Sequence, residues 1–321
     1  MNNQVIKKKK ILIIGGEGYF GSVLVPELSK KFDITSCDIC IFGRNNKVKL
    51  IRKNYSKLNK NDLTAFNYVI DLANISNDPS SELNKKITFK NNYFNKKKFF
   101  LKLNTKTKFI YISSCSVYGK FENKLAEVNS KTNPLSSYSK CCVLFENFLK
   151  KQKKIKFVIL RLGTLYGPSK RMRYDIAINL ILRNLIFQKK INIYGGKQYR
   201  LFCFIEIATK SIQKVITKFN IYQNKIYNVG NKNIRIDNLI NNLKKIRLIN
   251  NKIQINRYNE DDSRSYKVKI SKFGLNFNQN YFYKSINQTY KFIKKDKTPF
   301  SLKKITLNVY KKLFLYKTDI L

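Results

Sequence analysis

Four apolar residues in an unbroken row, Ile11 to Ile14, run straight into Gly15, Gly16, Glu17, Gly18, Tyr19, Phe20 and Gly21. Apolar positions then return at helical spacing through Val23, Leu24 and Leu28. A short apolar run without polar alternation is the signature of a strand buried on both faces. A second such strand is expected at roughly Phe32 to Cys37, and further runs recur at 68–73 (YVIDLA), 109–114 (FIYISS) and 157–162 (FVILRL). Between the later runs, residues 81–103 and 136–152 carry helical spacing. Strands alternating with helices predict an α/β chain with a doubly wound parallel sheet and a smaller C-terminal lobe. Ligands on such sheets collect at the carboxyl ends of the strands, where this pattern places Asn74, Ser113 and Ser114. From about Lys295, Leu302, Ile305, Val309, Leu313 and Tyr316 recur every three to four residues with lysines between them. This predicts an amphipathic helix packed on the second lobe, with a dimer contact or a membrane-surface rest as the other uses of that face.

Composition changes this picture little; charge changes it more. Apolar residues make up 43% and charged residues 26% of the 321, a globular profile without an apolar stretch long enough to span a bilayer. The 65 Lys and Arg against 19 Asp and Glu give a net charge of +46. The lysines are spread along the whole chain and no nucleic-acid motif accompanies them, so no specific nucleic-acid partner is expected. Such a surface would still attract a phosphate-bearing substrate. Cys37 and Cys40 form a C-x-x-C pair, but there is no second pair and no histidine anywhere, so no zinc set is complete. Dispersed cysteines suggest a reducing compartment. The apolar run after the first lysines is too short for a signal sequence, and a cytoplasmic location is expected.

Glycines at 15, 18 and 21 form G-x-x-G-x-x-G between a predicted strand and a predicted helix. Glycine at such a turn lets the backbone swing tightly and approach a pyrophosphate, which the following helix meets with free N–H groups. Asp38 closes the next strand, 17 positions beyond Gly21. A carboxylate there accepts ribose hydroxyls and repels a 2′-phosphate, which favours NAD over NADP. The predicted cofactor set is Gly15, Gly18, Tyr19, Phe20, Gly21 and Asp38, joined by Asp62.

These motifs, with GGEGYFGS at 15–22, DLANIS at 71–76, SSCSVYG at 113–119, PLSSYSKCCVLFE at 134–146, RLGTLYGP at 161–168, YRLFCFIEIA at 199–208 and YNVG at 227–230, follow one known order. Over about residues 8–275 the chain resembles the extended short-chain dehydrogenase/reductase family, within its NAD-dependent epimerase/dehydratase group acting on nucleotide sugars. In this resemblance DLANIS stands at the family's HLAA strand end. The resemblance implies a Rossmann domain over 1–165, to which parts of the later chain return, and a sugar-nucleotide lobe over 166–321. It implies hydride transfer with Tyr138 as acid/base and Ser114 as the hydroxyl partner. Asn92 matches the family's asparagine on the helix behind the site and completes the cofactor-binding set in this reading. Arg200 and Arg264 match its substrate phosphate contacts, and Arg171 and Arg173 lie in a loop that also lines the pocket in this reading. The family's dehydratases follow the serine or threonine with an Asp-Glu pair; here Cys115 and Ser116 stand there, which leaves epimerisation or oxidoreduction. A homodimer is expected from the family's habits.

One position departs from that pattern. The family's lysine, four residues after the tyrosine, is Cys142. Lys140 cannot replace it, because i+2 on a helix points about 200° away whereas i+4 shares the face. A thiol neither lowers the phenol's pKa nor holds the nicotinamide ribose, and without histidine Cys142 has no base to make it a nucleophile. Three readings follow: an NAD-dependent nucleotide-sugar epimerase or oxidoreductase with a rewired proton-transfer site; a non-catalytic protein that keeps NAD and a sugar nucleotide as ligands; and an NAD-fold protein whose basic surface binds nucleic acid.

Overall fold

The computed structural model describes residues 8–250, 252–259, 263–275 and 279–315. Strands are numbered in chain order. The large sheet contains β1 (Lys10–Ile14), β2 (Asp33–Cys37), β3 (Lys49–Ile51), β4 (Tyr68–Asp71), β5 (Lys108–Ser114), β7 (Phe157–Leu162) and β11 (Lys225–Val229). Its order is β11-β7-β5-β4-β1-β2-β3, and every pair in it is parallel. The apolar runs mark its centre: Ile11, Leu12 and Ile13, Val69 and Ile70, Phe109 and Ile110, and Val158, Ile159 and Leu160 are all fully buried. Chain order reverses direction between β1 and β4, and at such a switch point two loops diverge to leave a crevice.

Three smaller sheets build the rest. β8 (Thr164–Tyr166), β10 (Tyr199–Phe204) and β12 (Lys232–Arg235) form one; β9 (Lys190–Tyr194) pairs with β13 (Gln254–Tyr258), and β6 (Lys120–Ala126) with β14 (Ser265–Val268). The return of β11 to the large sheet ties the later chain to the first half.

The predicted 81–103 helix is interrupted. It consists of Asp78–Glu82, Lys85–Phe89, a π-turn over Lys90–Asn95, and Lys96–Phe100. Asn77 and Asn84 cap the first two pieces, accepting from the Ser80 and Ile87 backbone N–H groups at 2.9 and 3.0 Å, so side-chain acceptors divide what spacing alone joined. The C-terminal expectation needs correction as well. Gln279–Lys294 is one helix, and Thr306–Leu315 is a second; Tyr316 lies outside the described residues. The second helix does not lie on the far lobe alone: Tyr310 packs edge-on against Phe42, at 6.3 Å between centroids, beyond the end of β2.

Two glycines of the first turn serve different ends. A Cβ at Gly21 would meet the Gly16 carbonyl oxygen at 2.3 Å, whereas one at Gly18 meets only the Gly15 carbonyl, at 3.4 Å. We expect Gly21→Ala to destabilise the chain by roughly 1–3 kcal/mol and Gly18→Ala to stay within about 0.5 kcal/mol of the parent, measured by urea unfolding.

Candidate active site

A single cavity of about 550 Å³ opens at the carboxyl ends of β1, β2, β4 and β5 and continues to β10. Of the expected site residues, Gly15, Gly18, Tyr19, Phe20, Gly21, Asp38, Asn92, Ser114, Tyr138, Arg200 and Arg264 all line it. Asp62 does not. It sits in the short Lys60–Leu63 helix, where its carboxylate accepts the Asn59 N–H at 2.9 Å and its own N–H donates to Asn59 Oδ1 at 2.9 Å. That is a capping box on an exposed turn, and it satisfies the aspartate locally. Asn54 and Tyr55 line the cavity on that side instead.

Asp38 accepts the Glu17 N–H at 3.0 Å and the Cys40 N–H at 2.7 Å. Burial raises its pKa, against those two bonds and the nearby Arg171. Glu17, unremarked in the sequence, is buried and clamps the following loop to the glycine turn. Its carboxylate accepts from the Ser36 hydroxyl at 2.8 Å and from the Asn45 and Asn46 N–H groups at 2.5 and 3.0 Å. Two carboxylates thus stand at the end of β2. Asn92 also acts on backbone: its side chain accepts from Ile75 N–H at 2.9 Å and donates to Ile75 C=O at 3.1 Å, which fixes the segment after β4.

The expected Ser–Tyr pair is set by two elements. Ser114 ends β5 and accepts the Ser116 N–H at 3.1 Å and the Ser116 hydroxyl at 2.9 Å. Tyr138 lies in the first turn of the Ser137–Lys150 helix, which Ser136 caps by accepting the Ser139 N–H at 3.2 Å. Beneath them is a buried network. Arg161 Nη2 and Nε donate to Glu146 at 2.6 and 3.0 Å, Ser113 donates to Glu146 at 2.6 Å, and Arg161 Nη1 donates to the Tyr118 hydroxyl at 2.9 Å. Arg161 and Glu146 are 2% and 1% exposed, which makes the pair costly to break.

Desolvation pushes the Tyr138 phenol well above its ordinary value of 10.0; Cys142 and Asp78 push it further, while Ser114 and Arg173 pull it down. Cys142 is fully buried and its thiol is raised to about 12, chiefly by burial, so it is a neutral packed group. Among the described residues lining the cavity Lys53 is the only lysine. A buried lysine does lie near: Lys96, 1% exposed, donates to Asp71 Oδ2 and to the Ala73 carbonyl, both at 2.5 Å. Its charge is answered there and not at Tyr138.

At the other end, Arg200 sits over the Tyr266 ring at 5.5 Å and donates to the backbone carbonyls of Tyr199 and Arg264. Arg264 pairs with Asp78, whose other oxygen accepts from Ser136. Arg173 pairs with Asp175 at 2.9 Å and donates to the Ser76 hydroxyl at 2.9 Å.

A glycine turn feeding a helix, a carboxylate just after the second strand and a Ser–Tyr pair beside the end of β5, all on one seven-stranded parallel sheet, define an α/β protein of the Rossmann class. The chain matches the family model for the NAD dependent epimerase/dehydratase family over residues 11–230, more than half its length, and it belongs to that family. A dTDP-D-glucose 4,6-dehydratase of Dictyostelium discoideum is 29% identical over 259 residues; the match covers 69% of this chain and 58% of that protein. This chain therefore aligns with little more than half of that relative. Among solved structures, a UDP-N-acetylglucosamine 4-epimerase from Methanobrevibacter ruminantium M1 superposes with a TM-score of 0.79 at 21% identity, covering 89% of this chain and 98% of that one. A dTDP-glucose 4,6-dehydratase from Streptomyces venezuelae, with NAD bound, gives 0.80 at 15% identity over 92% and 99%. At these identities the two structures show a shared fold. Among the described residues no cluster of three or more Cys, Asp or Glu could hold a metal, and no helix is long and apolar enough to cross a membrane.

Removing one member of the buried pair leaves the other charged and alone. Glu146→Ala or Arg161→Met is expected to cost about 3–5 kcal/mol in denaturant unfolding, whereas Lys85→Ala, at an exposed ion pair, is expected to stay within about 0.5 kcal/mol.

Proposed function

We propose that this chain is an NAD-dependent epimerase or oxidoreductase of a nucleotide sugar, with Tyr138 as acid/base and Ser114 as its hydroxyl partner. The observation that carries this is the continuity of one cavity from Gly18 and Asp38, past Ser114 and Tyr138, to Arg200 and Arg264. The residues fit the cofactor. Among the described residues only the Gly15 carbonyl, at 3.4 Å, comes near where a Gly18 side chain would lie, so the missing side chain there serves whatever enters from the cavity. Asp38 offers a ribose its carboxylate, and Glu17 behind it adds to the selection against a 2′-phosphate. NAD, when bound, supplies reversible hydride acceptance.

The chain's own part is to hold and move a proton. Ser114 orients the sugar hydroxyl and favours the phenolate of Tyr138. The helix turn that carries Tyr138 brings its positive end nearby, and Arg173 supplies a cationic influence. Arg200 and Arg264 are placed to meet the nucleotide's phosphates, once Arg264 exchanges its Asp78 partner for them. Dehydration by the Asp-Glu route is disfavoured. Cys115 is buried against the Arg161 carbonyl at 3.2 Å and Ser116 bonds to Ser114, so neither position offers a carboxylate. A cytoplasmic homodimer remains part of the proposal.

A second reading, a binding protein that has lost catalysis, is favoured by the buried Cys142 and by the Asp78 carboxylate acting on Tyr138. One set of measurements decides. With NAD and a panel of UDP-, GDP- and dTDP-sugars, turnover by the parent and its loss in Tyr138→Phe supports the enzyme. Silence of the parent with turnover in Cys142→Lys supports the binding protein.

The pH dependence follows from the raised phenol. Its neutral form is favoured in the fold, so a reaction that needs phenolate accelerates as pH rises. We expect the rate of sugar oxidation to climb about tenfold per unit through pH 7–9, and the rising limb to move to lower pH in Asp78→Asn and further in Cys142→Lys. A profile that is flat over this range would remove Tyr138 from the proton-transfer step.

A further inference from the structure

Between the glycine turn and the C-terminal helix lies a buried cation with no ion-pair partner among the described residues. Arg171 is 6% exposed, yet only one of its five guanidinium N–H bonds is made, from Nη2 to the Thr306 hydroxyl at 2.8 Å. Nε is fully buried and has no partner among the described residues. No carboxylate there lies within ion-pair distance of it; Asp175, the nearest acidic answer in the loop, is taken by Arg173. Burial and the neighbouring Arg173 draw the Arg171 pKa down to about 10, which still leaves it charged at neutral pH.

Its position is fixed from three sides. The Arg171 N–H reaches the Ser22 hydroxyl at 3.5 Å, and the Ser169 hydroxyl donates to the Tyr19 carbonyl at 2.8 Å, so this loop is stitched to the glycine turn and to the first turn of the Gly21–Ser29 helix. The guanidinium carbon lies 3.7 Å from the centre of the Phe42 ring. Phe42 in turn meets Tyr310 of the C-terminal helix, which is tied to the same loop by Leu307 N–H to Asp175 at 3.3 Å. Arg171, Phe42, Thr306 and Tyr310 all line the cavity that Gly18 and Asp38 line.

A buried charge without a partner costs several kcal/mol, and a planar fork held flat on an aromatic ring is shaped for a bidentate anion. The N-terminus of the Gly21–Ser29 helix faces the same space and favours negative charge too. We infer that Arg171 is a clamp for the pyrophosphate of the bound dinucleotide, and that the C-terminal helix, through Thr306 and Tyr310, is the outer wall of that site. This inference rests on the NAD reading above. It gives a ligand-binding role to a loop that the sequence assigned to the substrate pocket and to a helix that it assigned to the second lobe.

Calorimetry on the full-length chain tests it with NAD+, ADP-ribose and adenosine, each against the parent, Arg171→Met and Thr306→Val. Arg171→Met is expected to weaken NAD+ and ADP-ribose equally, by roughly 10- to 100-fold, and to leave adenosine unchanged. Without ligand, its melting temperature is expected to equal or exceed the parent's, because an unpaired buried charge has been removed. Thr306→Val is expected to weaken the same two ligands by a smaller factor, and it carries the comparison if Arg171→Met does not fold. NAD+ binding unchanged in the variants, or adenosine weakened as much as ADP-ribose, overturns the clamp while the NAD reading stands. A parent that binds neither NAD+ nor ADP-ribose overturns the NAD reading, and the clamp with it.

Discussion

Glu146 and Arg161 bury opposite charges between the tyrosine helix and the centre of the sheet, and the geometry of the site follows from their need for each other. Glu146 lies two turns beyond Tyr138 on one helix; Arg161 lies in β7. The carboxylate also takes the Ser113 hydroxyl, next to Ser114, and the guanidinium takes Tyr118 at the close of the serine segment. This buried cluster thereby ties the helix that carries Tyr138 to the strand end that carries Ser114. Neither charge can leave its place without stranding the other in a medium of low dielectric. Rigidity of this kind is what a proton-transfer pair needs, since its reach is short.

Much of this is legible from residue order. The apolar runs locate five strands of the parallel sheet because a strand buried on both faces has few other ways to be written. The glycine spacing and Asp38 locate one end of the cavity, Ser114 and Tyr138 its middle, and Arg200 and Arg264 the other end. Asp62 falls outside the cavity because a carboxylate's neighbours, not its type, decide what it does; Asn59 three residues earlier takes it as a cap. Glu17 and Lys96 give no sign of their roles because their partners are distant in sequence, at 45–46 and at 71. The amphipathic character of the C-terminal helix is plain in its spacing, but an apolar stripe names no counterpart, and here Phe42 supplies it. In the sequence Arg171 is one loop arginine beside another; only three-dimensional placement shows how few of its bonds are made.

Cys142, fully buried and neutral, leaves the surroundings of Tyr138 apolar on that side. Burial and Asp78 both oppose the phenolate, while Ser114 and Arg173 favour it. The same aspartate holds Arg264, so whatever draws that arginine away also changes the charge felt by the phenol.

Lys96 and Asp71 carry a different lesson. Asp71 stands where the family's HLAA strand end has histidine, and the lysine that answers it comes from another element, the two almost wholly sealed from water. A lineage that altered either alone would pass through a form with a naked ion in its interior. The two positions are therefore bound to each other: a substitution that removes one charge is tolerable only with a matching change at the other.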